Sequence, residues 1–269
     1  MADNPKIDDF FASNKQLWNN KTEVHIKSDF YDNESFLKGR NTLNPIELEY
    51  LKDIKDKTIL HIQCHFGQDS ISLARMGAKV TATDISNVAL QYANEFNKTL
   101  NTDVKFVETD TYRINEYIDE KFDLVLLSYG AIPWLPDINK LAEIVKSRLN
   151  PGGRVLIVEF HPMFFSFDHD SGAISFGYNN VHMYAEDVEG TYADKNSSVK
   201  GKEYFWQHSL EEIMMPFINN KMKLNVFREY YYSPYNAVSN MKQIDDNKYV
   251  YGDFPYPIPH VFLMEFINN

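Results

Sequence analysis

Residues able to do chemistry fall at the ends of successive apolar runs. Gln63, His65 and Gly67 follow the run Ile59–Ile62. Asp84 ends the next run, Asp110 with Thr111 follows a third, Ser128 and Tyr129 a fourth, and His161 lies just past a fifth. If these runs are strands of an open α/β sheet, ligands lie beyond their carboxyl ends, and the spacing brings the set to one edge. Gly67 either lets the backbone approach a ligand at the start of a helix or makes a plain strand-to-helix turn. Asp84, 17 residues after Gly67, is placed to accept from ribose hydroxyls or to cap the helix that begins near Asn87, a job Ser86 can also do. Asp110 can accept from an exocyclic ring amine, with Tyr112 close by, or be a solvated loop acid. Ser128-Tyr129-Gly130 and the following Pro133-Trp134-Leu135-Pro136 stand where the reacting end of a ligand would sit, although Trp134 also reads as a core ring. His161 is the first candidate for a general base, with a structural role before Pro162 as the alternative. The eight histidines lack the paired, short spacings of zinc sites, so no metal is expected.

The elements that must position these residues alternate strictly from Thr58 onward. Strands are expected at 58–63, 79–84, 104–108, 122–128 and 154–160. Helices are expected at 68–76, 86–99 and 137–149, with a short helical piece near 113–118. The strands are continuous β-branched and Leu runs, as in parallel strands covered on both faces, and five βα units in a row predict a doubly wound sheet. Upstream, helices are expected at 9–20 and, opened by Pro45, at 45–53, with an irregular stretch between Thr22 and Arg40. Residues 161–206 lose periodicity and read as an aromatic-rich insertion. Helix 209–219, capped by Ser209 with Glu212 at the capping-box position, precedes strands at 222–232 and 258–267. A Tyr-, Asp- and Pro-rich segment, Ser233–Pro259, joins those strands and is too long for a hairpin turn.

Composition narrows the partners. The net charge of −11 repels phosphate backbones, so nucleic acid is not an expected partner. The single cysteine, Cys64, permits no internal disulfide, which suits a reducing compartment. The opening MADNPKIDDF has no basic region followed by an apolar one, and no apolar run approaches the roughly 20 residues that span a bilayer. A cytoplasmic protein without membrane contact is therefore expected.

Several segments together resemble the class I S-adenosylmethionine-dependent methyltransferases: Leu60–Gly67, Gly77-Ala78-Lys79-Val80 through Ser86, Val107–Asp110, Phe122-Asp123-Leu124-Val125 and, most tellingly, Asn150-Pro151-Gly152-Gly153. The likeness covers about residues 45–160 and is closest to a branch whose first motif reads Leu-His-x-Gln-Cys-His-Phe-Gly. It also extends to Glu159-Phe160-His161-Pro162 and His208-Ser209-Leu210. The resemblance implies a Rossmann-like α/β fold, a doubly wound, mostly parallel seven-stranded sheet with an antiparallel last strand. It also implies an S-adenosylmethionine site along the sheet edge, formed by Gln63, His65, Gly67, Asp84, Ile85, Asp110, Thr111 and Ser128. In this chain His61 replaces the usual acid of the first motif, and Gln63 and His65 replace its first two glycines. Gln63 could then bind the amine or carboxylate of the methionine end, and His65 could pair with its carboxylate.

The expected organisation is an N-terminal helical lid over 1–44 and a catalytic domain over 45–269 with a cap at about 161–206. The expected activity is in-line methyl transfer to a small organic acceptor, with Tyr31, Tyr129 and Trp134 near the sulfonium. The lid rings Trp18, His25, Phe30 and Tyr31 would help close a dry pocket. Two alternatives remain: a nicotinamide-dependent oxidoreductase, which would need a Gly-x-Gly-x-x-Gly loop that Gln63, His65 and Gln68 do not supply, and a non-catalytic S-adenosylmethionine-binding protein. The sequence does not specify the acceptor, the atom methylated or the oligomeric state.

Overall fold

The computed structural model describes residues 7–269. In chain order the chain forms α1 (Ile7–His25), α2 (Asn33–Leu37), α3 (Pro45–Leu48), β1 (Thr58–Ile62), α4 (Gln68–Arg75), β2 (Lys79–Asp84), α5 (Asn87–Thr99) and β3 (Lys105–Glu108). A 3₁₀ turn at Thr111–Arg113 leads into α6 (Ile114–Tyr117) and β4 (Phe122–Ser128). There follow α7 (Ile138–Arg148), β5 (Leu149–Phe160), α8 (Pro162–Phe165), β6 (Met183–Glu189) and β7 (Lys200–Trp206). The chain ends with α9 (Leu210–Asn219), β8 (Met222–Tyr230), β9 (Met241–Asp245), β10 (Lys248–Tyr251) and β11 (Val261–Asn268). The main sheet has seven strands in the order β3-β2-β1-β4-β5-β11-β8, and β6 with β7 and β9 with β10 make two small ribbons. β1, β2 and β3 pair in parallel, as do β4 and β5. β11 runs antiparallel to both β5 and β8. The mostly parallel seven-stranded architecture with an antiparallel last strand is as the sequence predicts.

The chain divides into two compact units. One holds the described residues up to Thr42, Ile54–Ile118 and Tyr184–Phe205. Within it, Ile59, Leu60, Ile62, Ala82, Ala89 and Ala93 are buried, which is why β1, β2 and α5 read as apolar runs. Helix α1 belongs to this unit and docks on β7. Asn14 Nδ2 donates to the Tyr204 carbonyl at 2.8 Å, the Tyr204 amide donates back to Asn14 Oδ1 at 2.9 Å, and buried Lys21 pairs with Glu203 at 2.9 Å.

The other unit holds Leu43–Asp53, Asp119–Met183 and Trp206–Asn269. Its core is the buried stretch of β4 and β5 with Val261–Met264 of β11. The Asn150-Pro151-Gly152-Gly153 motif lies inside β5 rather than before it. Leu149 pairs with Phe122 and Arg154 with Leu124, so the four motif residues bulge out of the ladder. Gly152 takes φ +75°, and a Cβ on Gly153 would sit 2.9 Å from the Phe122 carbonyl, so the bulge needs both glycines.

Three local expectations change. The helix expected at 45–53 stops at Leu48. The stretch 22–40 is more regular than expected, since α1 runs on to His25 and α2 follows. The segment 233–259 contains the β9–β10 hairpin, in which β9 is mostly exposed and β10 half-buried or buried throughout, so neither shows an alternating buried stripe.

Candidate functional site

In the first unit the loop after β1 is the centre of the site. Gln63, His65 and Gly67 all have left-handed backbones, with φ of 59°, 51° and 77°. The two residues that replace the usual glycines therefore keep the conformation glycine would adopt, at a cost of about 1–2 kcal/mol each. At Gly67 substitution is barred by space as well: a Cβ would lie 2.7 Å from Phe106 Cζ and 3.0 Å from Ala93 Cβ. His61 is buried and its Nδ1 lies 2.8 Å from Ser70 Oγ, so it ties β1 to α4. Burial lowers its pKa, which keeps it neutral where an acid is usual.

Asp84, the last residue of β2, anchors this loop. Its Oδ2 accepts from the His65 amide at 2.8 Å and its Oδ1 from the Ser86 amide at 2.8 Å. Desolvation pushes its pKa up to about 6 against the pull of these amides and that of Ile85. Capping of α5 falls to Ser86, whose Oγ accepts from the Ala89 amide at 3.0 Å, so Asp84 is not spent as a cap. With about four lone-pair sites, the carboxylate keeps capacity for a further donor. Ile85 is half-buried beside it. Past β3, Asp110 Oδ1 accepts from the Tyr112 amide at 2.8 Å, capping the 3₁₀ turn, and Gln63 Nε2 lies 3.4 Å from Thr111 Oγ1.

Above the loop the rings of α1, the α1–α2 connection and the β6–β7 loop converge on His65. Trp18 meets its ring edge-on at 5.4 Å, Tyr31 stacks on it at 5.4 Å and His25 lies at 5.2 Å between centroids. Tyr192 packs on His25 at 4.6 Å and its hydroxyl hydrogen-bonds that of Tyr31. The sequence-expected lid residues Trp18, His25, Phe30 and Tyr31 thus share one aromatic cluster with the glycine-loop histidine. Tyr192 and Thr22 escape sequence reasoning, because neither carries a motif or a periodic signal.

In the second unit, Ser128 ends β4 and Tyr129 follows with a strained φ of 35°. Tyr129 Oη donates to Glu47 Oε2 at 2.7 Å, and fully buried Glu47 also accepts from the Asn44 amide at 2.5 Å. Glu159, at the end of β5, is 2% exposed and accepts from the amides of Gly130, Ala131, Ile132 and Phe160 at 2.6–3.0 Å. It ties the loop after β4 to β5 as an internal anion in a nest of amides. The sequence marks Glu159 without assigning it a role, and it does not single out Glu47. A lone acid closing an apolar strand is the available signal for Glu159. Trp134 is half-buried in the short 3₁₀ turn Ile132–Trp134.

His161, expected as the general base, caps α8. Its Nδ1 accepts from the Met163 amide at 3.0 Å, capping α8, and its Nε2 lies 3.1 Å from Glu229 Oε1. With the Nδ1 lone pair engaged in the cap, the neutral ring carries its proton on Nε2, facing Glu229. Among the described residues no group of three or more His, Cys, Asp or Glu side chains is arranged to hold a metal ion. No described helix is long and apolar enough to cross a membrane.

The strand order and the loop–acid geometry define a protein of the class I methyltransferase fold. Residues 59–153 match the family model described as a methyltransferase domain. The chain is 36% identical over 91 residues to a Methanocaldococcus jannaschii protein provisionally named a protein N5-glutamine methyltransferase, covering 34% of this chain and 45% of that one. It is 25% identical over 134 residues to the ubiquinone biosynthesis O-methyltransferase of Proteus mirabilis, covering 48% of this chain and 54% of that one. The chain thus spans about half the length of these curated relatives. A crystal structure from Listeria monocytogenes, provisionally named an S-adenosylmethionine dependent methyltransferase, superposes with a TM-score of 0.60 at 20% identity, covering 83% of this chain and 96% of that one. The matched segment is thus that of a methyltransferase domain, the relatives are named as methyltransferases, and the fold is shared with a structure named for S-adenosylmethionine dependence.

Proposed function

We propose that this protein transfers the methyl group of S-adenosylmethionine to a small organic acceptor. The carrying observation is Asp84: a carboxylate at the end of β2, tied to the β1 loop through the His65 amide and left with acceptor capacity for ribose hydroxyls. Gln63, Gly67, Ile85, Asp110 and Thr111 of the same unit are assigned to the cofactor, with Asp110 receiving the adenine amine, and Ser128 of the other unit is assigned to it from its place at the end of β4. The fit is supported by two buried nitrogens without partners in the same cluster, His25 Nε2 and His65 Nδ1, which a polar ligand would satisfy. The bound cofactor supplies an electrophilic methyl on a sulfonium, activated before the protein acts.

The protein's part is alignment and exclusion of water. Residues 1–44 serve as the lid, and Tyr31, Tyr129 and Trp134 are the rings assigned to the acceptor side. An acceptor reached under such a lid is small and organic, in keeping with a relative named for O-methylation. His161 enters this proposal as a capping residue rather than the base. The nicotinamide reading is disfavoured by the strained Gln63–His65 loop, which has no Gly-x-Gly-x-x-Gly. Calorimetry with S-adenosylmethionine and with NAD, then methyl release over a panel of phenols, carboxylic acids and amines, tests the assignment. Binding of S-adenosylmethionine but not NAD, with turnover of a panel member, is the expected result. Binding without turnover on any acceptor would favour a sensor, and folded protein that binds no S-adenosylmethionine would overturn the proposal.

A further inference from the structure

The buried histidine pair has a defined protonation pattern. Thr22 Oγ1 donates its only proton to the Trp18 carbonyl at 2.7 Å. Toward His65 Nε2, 3.5 Å away, Thr22 can therefore only accept. This places the proton of His65 on Nε2, from which it also faces His25 Nδ1 at 3.4 Å. Two consequences follow for neutral rings. His65 Nδ1 is a bare lone pair, and His25, accepting at Nδ1, carries its proton on Nε2. Both outer nitrogens are buried and have no partner within the protein. Burial and the nearby Lys21 ammonium hold His25 down to about 3 and His65 well below the usual imidazole range, so neutral rings persist through neutral pH.

The two outer nitrogens lie at opposite ends of the pair, so His65 Nδ1, beside Trp18 and Tyr31, offers a ligand a single bare acceptor. Neutral imidazole acceptors favour a cationic donor, and a carboxylate has no use for the lone pair on His65 Nδ1. We propose that His65 Nδ1 accepts from the α-ammonium of the cofactor's methionine end, and that His25, through the Nε2–H of His65, is the positioning residue that keeps that lone pair free. The inference rests on the cofactor assignment above and reverses the sequence expectation that His65 pairs with the carboxylate. It also gives the lid a specific function, since without α1 in place neither Thr22 nor His25 fixes the tautomer.

The test compares two cofactor fragments by calorimetry: S-adenosylhomocysteine, which has the amino acid end, and 5′-methylthioadenosine, which lacks it. In His65→Gly, which suits the left-handed backbone, affinity for S-adenosylhomocysteine falls about tenfold or more while that for methylthioadenosine holds. His25→Phe keeps a ring in the cluster but removes one of the two acceptors at His65 Nε2, and gives a smaller loss that is selective in the same sense. His65→Asn, with an amide oxygen able to stand in for Nδ1, restores most of the preference. Nitrogen-15 shifts of the labelled wild-type protein report His65 as the Nε2–H form. An Nδ1–H form, or equal loss of both ligands in the variants, overturns the inference while leaving the cofactor assignment standing. Failure of folded wild-type protein to bind either ligand overturns both.

Discussion

The His65 amide donates to Asp84 Oδ2 at 2.8 Å, so the glycine-poor loop after β1 and the acid ending β2 form one rigid unit. Neither residue can be altered without consequences for the other. The left-handed φ of His65 turns its amide toward β2, and Asp84 offsets part of the cost of that conformation with a charge-assisted hydrogen bond.

Asp84 should impose a pH dependence on cofactor binding. Its pKa stands at about 6 in the folded protein, above its ordinary 3.8, so acid protonates it well before an exposed aspartate. Protonation removes acceptor capacity toward ribose. Affinity for S-adenosylhomocysteine, measured by calorimetry from alkaline to mildly acidic pH, should be full at the alkaline end and weaken as the pH falls through about 6. Asp84→Asn should bind weakly throughout and show no step at that pH.

Gly67→Ala should destabilise the protein by about 2–4 kcal/mol in chemical denaturation, the sum of a left-handed alanine and of overpacking against Phe106. Adding Phe106→Leu should recover part of the loss, because it removes the ring that the new Cβ strikes. Full loss in the double variant would assign the effect to backbone strain alone.

Glu159→Gln should cost about 2–4 kcal/mol. Four backbone amides converge on the carboxylate, and the amide group of glutamine would turn two of its own protons toward amide donors. Denaturation midpoints of Glu159→Gln and Glu159→Asp check this. A neutral effect from the glutamine would mean that the β4 loop does not depend on the anion.

Tyr129 and Glu47 should couple by about 1–3 kcal/mol in a double-mutant cycle of Tyr129→Phe and Glu47→Gln, as a phenol on a buried carboxylate requires. Additive losses would show that the pair is adjacent without being linked.

His161→Ala should lose about 1 kcal/mol, the worth of an N-cap, and His161→Asn should keep most of it because asparagine caps well. The same two proteins separate cap from base: if His161 took the acceptor's proton, asparagine would abolish turnover despite its preserved stability.

The parallel sheet was legible because β1, β2, β4 and the second half of β5 are largely buried, so their sequences are mostly apolar or β-branched, whereas the exposed motif at the start of β5 hid that strand's true beginning. The acids at their carboxyl ends followed from topology alone. The β9–β10 and β6–β7 ribbons were not legible, because exposed two-stranded ribbons bury no continuous face and so carry little period-two pattern. His161 was legible as a residue but not as a role: which of its nitrogens is occupied depends on the Met163 amide two residues away and on Glu229, 68 positions along the chain.

By itself the sequence determined the succession of βα units and the expectation that Asp84 ends a strand at the sheet's carboxyl edge, because local hydrophobic pattern and chain connectivity suffice for both. Only the tertiary structure decided what the odd residues of the first loop do. Gln63 and His65 keep the backbone shape of glycine, and the ring of His65 meets Thr22, His25 and Tyr31, the last bonded in turn to Tyr192. Those partners lie between 34 and 127 residues from His65 in the chain. Hydrogen bonds and ring contacts over such separations leave no periodic trace in sequence, and they alone settle where the proton of a buried imidazole resides.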